Sequence, residues 1–262
     1  MNQSTIKKLI EINRVFYQTV GTYFDSSRNY FWPGWEKIIP HISELSSSLD
    51  RPMRVLDIGC GNARFLEFIA KRFSGIGFSY AGIDFSHELL SKAEERCKNY
   101  MDSSICNLYE IDILTDSWEK AFTEEKFDLI VLFGVMHHVP SFENRRLLLS
   151  RIKNLLSPEG ILVVTHWRYG DSDRLKRRIV NPFTKEGSEV FKELGIAIDD
   201  LEQNDNILDW NRGIKGYRYS HFVDNQESQE FIDELNMPVL SRFLEDGKER
   251  NVNEYVVLKN SG

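Results

Sequence analysis

Asp57, Gly59, Cys60 and Gly61 close a short apolar run and open a polar, helix-prone one. Glycines at such a strand-to-helix turn permit a sharp bend and let a ligand approach the backbone. The unpaired N–H groups of the following helix attract an anionic group such as a carboxylate. A second acid, Asp84, stands 27 positions further on at the end of the next apolar run. An acid at a strand tip accepts hydrogen bonds from both hydroxyls of a ribose. A third acid, Asp112, closes the run after that, where it suits an adenine amino group. Three acids at three successive strand tips describe one crevice for a nucleoside.

A nicotinamide dinucleotide competes for the same crevice, because its Gly-x-Gly-x-x-Gly fingerprint also lies on a strand-to-helix turn and is followed by an acid. Here Arg64 takes the third glycine's place. An arginine there obstructs close helix packing, and Asp57, ahead of the glycines, crowds a pyrophosphate with negative charge. An ammonium group is what that acid welcomes.

Asp57-x-Gly59-x-Gly61, with acids at the ends of the next two strands, resembles the class I S-adenosylmethionine-dependent methyltransferases over Met53 to His166. The chain departs from that pattern at Ala63, where a third glycine is usual. The resemblance implies a Rossmann-like α/β fold, with a seven-stranded, mostly parallel sheet in the order 3-2-1-4-5-7-6, strand 7 antiparallel, and helices on both faces. It also implies S-adenosylmethionine as cofactor, held by Asp57, Gly59, Cys60, Gly61, Asp84, Phe85, Asp112, Ile113, Phe133 and Val135.

Further fragments resemble the tRNA wobble-uridine carboxymethyl methyltransferases, in that family's order. They are Phe24-Asp-Ser-Ser-Arg28 with Trp32-Pro33, Val135-Met-His137-His138, Trp167, Asn206-Ile-Leu-Asp-Trp210 and Arg218-Tyr-Ser-His221, with Ser220 at the place of a usual aromatic. This implies methylation of a carboxylate on the anticodon's first base, tRNA as partner and, for some members, a small zinc-binding activator subunit. A carboxylate acceptor is already ionised at neutral pH, so cationic donors rather than a general base are needed. Arg28, Arg218 and His221 are the expected clamp, Trp167 the expected base-stacking platform, and His137 a further substrate contact. The alternatives are a small-metabolite methyltransferase and an inactive cofactor-binding partner in an RNA-modifying complex. No metal is expected at His137 and His138, because adjacent side chains diverge and no acid stands at ligand spacing.

The elements that must position these residues follow from periodicity. Apolar runs at Met53–Ile58, Tyr80–Asp84, Asn107–Asp112, Phe127–Phe133 and Gly160–His166 alternate with helical patterns at Asn62–Arg72, His87–Tyr100, near Trp118 and Phe142–Leu156. Strict alternation predicts parallel strands with helices on both faces. Residues 1–52 are expected to form an N-terminal helical segment, and residues 53–262 the methyltransferase domain with a polar insertion at about 170–223. That domain closes with a helix at Glu227–Glu234 and an antiparallel pair, Val239–Leu244 and Tyr255–Lys259.

At 262 residues, 41% of them hydrophobic, the chain supports one buried core. It carries no membrane-length apolar run and no signal-peptide core, so a soluble, cytoplasmic protein with no membrane partner is expected. Cys60, Cys97 and Cys106 lack paired spacing and are expected as reduced thiols. A net charge of −7 argues against a generally polyanion-attracting surface and leaves Arg174-Leu-Lys-Arg-Arg178 as a local basic run, equally readable as a solvated helix face.

Overall fold

A computed structural model of the chain describes residues 1–26, 30–73, 77–102, 105–115 and 117–261. Two helices, α1 (Gln3–Ser26) and α2 (Pro33–Ser48), precede β1 (Met53–Ile58), α3 (Arg64–Arg72), β2 (Phe78–Asp84), α4 (His87–Tyr100), β3 (Cys106–Glu110) and β4 (Phe127–Leu132). There follow α5 (Phe142–Lys153), β5 (Leu156–Trp167), α6 (Asp173–Lys176), α7 (Lys185–Leu194), β6 (Asp205–Arg212) and β7 (Ile214–His221). The chain closes with α8 (Asn225–Leu235), β8 (Val239–Glu245) and β9 (Asn253–Lys259). Seven strands form one sheet in the order β3-β2-β1-β4-β5-β9-β8, the order that the resemblance to class I methyltransferases implied. The first five are parallel, while β9 runs antiparallel to β5 and β8 antiparallel to β9.

Alternation along the strands builds a core on each face of the sheet. Leu56 and Ile58 of β1 face a cluster shared with α5 and α8, whereas Met53 and Val55 face one shared with α2 and α3. The carboxyl ends of β1, β2, β3 and β4 therefore meet along one edge, where a parallel sheet opens its crevice.

Three expectations change here. The third strand ends at Glu110, so Asp112 lies two residues beyond it in the loop. The segment near Trp118 is a 3-10 turn, Trp118–Phe122, rather than an α-helix. Cys97 and Cys106 are not reduced thiols but a disulfide between the last turn of α4 and the start of β3, and Cys60 alone is free. Spacing alone missed the pair because α4 folds back over the strand that follows it, bringing the two Cα atoms to 6.0 Å, within bridging range.

The polar stretch after β5 is more ordered than its composition suggests. β6 and β7 form a separate antiparallel hairpin in full register, and Ile179 bridges to Leu208 on its outer edge. A small core of Leu9, Phe191, Ile196, Ile207 and Tyr219 ties this hairpin and α7 to α1. Buried Ile6, Leu9, Asn13, Phe16 and Val20 recur at helical spacing, so one face of α1 is committed to this contact. The opposite edge of that face reaches over the crevice.

Among the described residues no helix is long and apolar enough to cross a membrane.

Candidate active site

β1 ends in a loop whose two glycines are both left-handed, Gly59 at φ 69° and Gly61 at φ 54°. A Cβ on Gly59 would stand 2.4 Å from Val135 Cγ2, so the strand tips of β1 and β4 touch only because no side chain intervenes. A Cβ on Gly61 would meet nothing closer than Leu89 Cδ1 at 3.9 Å, which leaves that backbone open to the crevice. Ala63, at the third glycine position, is also left-handed at φ 57° and begins α3 fully buried. A residue with a Cβ pays about 1–2 kcal/mol for that conformation, so the turn is held by its surroundings.

The acids are fixed by local hydrogen bonds. Asp84 accepts from Gly61 N and Ser86 N, each at 2.9 Å, and Asp57 accepts from the buried Tyr80 hydroxyl at 2.7 Å. Burial pushes both carboxyls up, Asp57 to about 7 and Asp84 to about 6, against the hydrogen bonds that hold them down. Burial likewise keeps the Cys60 thiol protonated. Asp112 accepts from Leu114 N at 2.9 Å and is ion-paired to Arg14 of α1.

All ten residues singled out as cofactor contacts line one cleft. The cleft is open to solvent and is lined by apolar side chains together with the three acids and the two glycines, the mixed lining expected of a nucleoside site. The donor set suits S-adenosylmethionine: Asp57 for its ammonium, the open Gly61 backbone for its carboxylate, Asp84 for its ribose, and Phe85 and Ile113 beside its base. Sequence reasoning missed the roof. Ile10, Asn13, Arg14 and Tyr17 of α1 also line the cleft; on sequence Ile10 read only as one of the apolar groups of a helix, and the other three carried no signal.

The chain belongs to the methyltransferase domain family. That family matches residues 28–210, well over half of the sequence. The chain is 22% identical over 174 residues to the tRNA (carboxymethyluridine(34)-5-O)-methyltransferase of Arabidopsis thaliana, covering 65% of this chain and 37% of that protein. It is 25% identical over 246 residues to the tRNA U34 carboxymethyltransferase of Ruthia magnifica, covering 89% of this chain and 71% of that one. Thus it spans little more than a third of the first relative's length and most of the second's. Matches of similar identity include a ubiquinone biosynthesis O-methyltransferase. An S-adenosylmethionine-dependent methyltransferase from Clostridium acetobutylicum shares the fold, with a TM-score of 0.63, 14% identity, and coverage of 94% of this chain and 99% of that one. The chain thus carries a methyltransferase domain with the fold of S-adenosylmethionine-dependent enzymes.

The expected acceptor residues part company in this methyltransferase. His137 lines the cleft in a 3-10 turn, Met136–His138, and its ring lies 5.0 Å from that of Trp167 at the end of β5. The Arg218 guanidinium lies 4.6 Å over the Trp167 ring and 5.5 Å over Phe16. His137, Trp167 and Arg218 therefore form one cluster abutting the cleft. Arg218 is 7% exposed, and burial pulls its pKa down although the Tyr17 hydroxyl supports the charge.

His221 does not join them, and its assignment to the clamp is withdrawn. It stands three residues from Arg218 on a strand whose side chains alternate, so the two face opposite sides. Its Nδ1 lies 2.7 Å from Asp205 and its Nε2 2.6 Å from Glu227. Burial alone would lower its pKa, but those two carboxylates outweigh it and leave the value raised. Arg28 lies outside the described residues. Nor do the adjacent histidines diverge: their ring centroids are 4.0 Å apart, and both ring nitrogens of His138 pair with α1, at Asn13 and Tyr17.

The apolar face that an activator subunit would cover is not seen on α3 and α4. Among their described residues Tyr100 is the one exposed large hydrophobe, and its hydroxyl donates to Glu67.

Proposed function

We propose that this methyltransferase esterifies the carboxylate of a carboxymethylated wobble uridine in tRNA. The observation that carries the reading is the buried Arg218 guanidinium stacked on Trp167, next to His137 at the cleft wall. A guanidinium in a low-dielectric site holds a carboxylate through parallel hydrogen bonds far more firmly than it would in water, and the Trp167 indole beside it is only partly buried, leaving aromatic surface for a base. The two tRNA-modifying relatives support the same acceptor class.

S-adenosylmethionine supplies an electrophilic methyl group on a sulfonium. The chain's own contribution is placement. Asp57 would hold the cofactor's amino-acid end and Asp84 its ribose, Asp112 and Ile113 would border its base, and Phe133 and Val135 would close the opposite wall. Arg218 and Trp167 would hold and orient the acceptor carboxylate toward the cleft, which is the placement an in-line displacement needs. No residue need remove a proton, since a free carboxyl group titrates at about 4 and is already ionised near neutrality. His137, packed between Trp167 and the cleft, shapes the passage between cofactor and acceptor.

The test is transfer of radiolabelled methyl from S-adenosylmethionine to total tRNA, followed by mild alkali and nucleoside analysis. Alkali-labile label on a uridine derivative is the expected result. Stable label on tRNA would move the acceptor to a carbon or nitrogen atom. No label, with cofactor binding intact, would favour a small carboxylate metabolite or an inactive partner role.

A further inference from the structure

The basic run that composition left unexplained leads away from the acceptor cluster. Between residues 173 and 185 there are five cations, Arg174, Lys176, Arg177, Arg178 and Lys185, against one acid, Asp173, in a chain of net charge −7. Arg174, Lys176, Arg177 and Lys185 are exposed, whereas Arg178 is half-buried and reaches Asp209 at 3.4 Å. The segment is anchored on the hairpin. Val180 N donates to Ile207 O at 2.9 Å, Asp209 N donates to Arg178 O at 2.8 Å, and Ile179 bridges to Leu208, which itself pairs with Arg218 across β6 and β7. Two strand spacings, roughly 10 Å, thus separate the backbone of Ile179 from that of Arg218.

Next to these cations stands Phe183, 84% exposed and the most exposed large hydrophobe among the described residues. Its turn is tightly built. Phe183 N donates to Asn181 Oδ1 at 3.0 Å, Thr184 N and Oγ1 donate to Asn181 O at 3.2 and 2.9 Å, and Thr184 Oγ1 caps α7 by accepting from Gly187 N at 3.1 Å. A Cβ on Gly187 would stand 1.8 Å from Asn181 O, so only glycine lets the turn seat this closely. An aromatic ring held out on a preorganised turn loses little further freedom when something stacks on it.

We infer that the segment from Arg174 to Lys185 is an RNA-docking surface, with the cations meeting phosphates and Phe183 stacking on an unpaired base beside the nucleotide held at Trp167. The inference rests on the tRNA reading above and adds the surface by which such a substrate is held. Cations interleaved with an aromatic match single-stranded nucleic acid, whose phosphates and base faces alternate along the strand. In a chain of net charge −7 the segment is a local excess of positive charge, and it lies on the hairpin that carries Arg218.

The probes are a fluorescent tRNA transcript, followed by anisotropy across a salt series, and methylation kinetics on total tRNA. The triple variant Arg174→Ala, Lys176→Ala, Arg177→Ala should weaken tRNA binding at least ~tenfold. It should also flatten the slope of log Kd on log salt by about 2, since each single-strand phosphate that a cation ceases to neutralise removes about 0.7. Phe183→Ala should weaken binding roughly tenfold with the slope unchanged. Both should keep wild-type cofactor affinity and kcat, with the loss in KM. A wild type that methylates tRNA while the variants bind it equally well overturns the surface and leaves the acceptor reading standing. A wild type that neither binds nor methylates tRNA overturns both. Loss of cofactor affinity in the triple variant would make the cations supports of the fold and would also overturn the surface.

Discussion

Asp57 and Asp84 are placed under opposite demands before and after a cofactor arrives. Burial in the cleft raises them to about 7 and about 6, so near neutrality each is close to holding a proton. An ammonium beside Asp57 and ribose hydroxyls donating to Asp84 both favour the ionised forms. Cofactor binding should therefore release protons between pH 6 and 7, read calorimetrically as a dependence of the binding heat on buffer ionisation enthalpy. Affinity should be level above about pH 7.5, fall about tenfold per unit between about 7 and 6, and fall up to about a hundredfold per unit below about 6, where both acids bind protons. Tyr80→Phe removes the hydroxyl that steadies the Asp57 charge and should move the upper part of that profile to higher pH. A profile flat down to about pH 5 would remove both acids from the cofactor. Stability of the ligand-free protein runs the other way. A carboxyl raised in the folded state binds more protons there than when unfolded. The resulting destabilisation is absent below about 4, grows as pH rises, and is complete above about 7.

At the scale of elements, a buried charge network sets the hairpin against the sheet. Arg145 of α5, 1% exposed, donates to Glu227 Oε1 at 2.7 Å and to Val139 O at 2.9 Å, and reaches Glu202 at 3.4 Å. Glu227 carries the link to His221, and Asp205 continues it to the Tyr219 hydroxyl. The network thus joins the loop bearing His137 to the strand bearing Arg218. Arg145→Ala removes the guanidinium from the buried Glu227, which keeps only His221, and from the part-exposed Glu202, and should cost about 3–5 kcal/mol in chemical denaturation. A cost under about 1 kcal/mol would show that water reaches the site and that the network positions nothing. Pairing of His221 with an acid of the polar insertion was legible as the alternative to its clamp role, whereas the part played by Arg145 was not, because it lies 57 residues from Glu202 and 82 from Glu227. The sheet was legible, since buried parallel strands announce themselves as short apolar runs and helices by their period. The crevice was legible for the same reason, as its residues stand at strand tips. What periodicity could have revealed, and did not, is that Arg218 and His221 cannot face one ligand from one strand. Likewise Asn13, Arg14 and Tyr17 gave no sign that α1 crosses the cleft, because that contact joins segments far apart in the chain.

At the scale of the whole molecule, the proposed cofactor and acceptor sites draw on different parts of the chain. The acids and glycines of the cleft lie at or just after the carboxyl ends of β1, β2, β3 and β4, whereas Arg218 belongs to a hairpin tied to the sheet through α1 and the buried network. Cofactor binding should stabilise the fold by mass action, about 2.7 kcal/mol at roughly a hundredfold excess over its Kd. For a chain of this size that corresponds to a rise of about 5–10 °C in Tm. Asp84→Ala should abolish the rise, because it removes the carboxylate that both caps the Gly61 backbone and accepts from the ribose. Arg218→Ala should behave differently. It empties a buried site between Trp167 and Phe16 and so lowers the starting Tm, yet it touches no cofactor contact and should keep the full cofactor-dependent rise while losing methyl transfer to tRNA. Differential scanning fluorimetry on the three proteins, with and without S-adenosylmethionine, separates the two roles in one experiment. Equal loss of the rise in both variants would mean that the hairpin is part of the cofactor site, and the division between Asp84 and Arg218 would have to be abandoned.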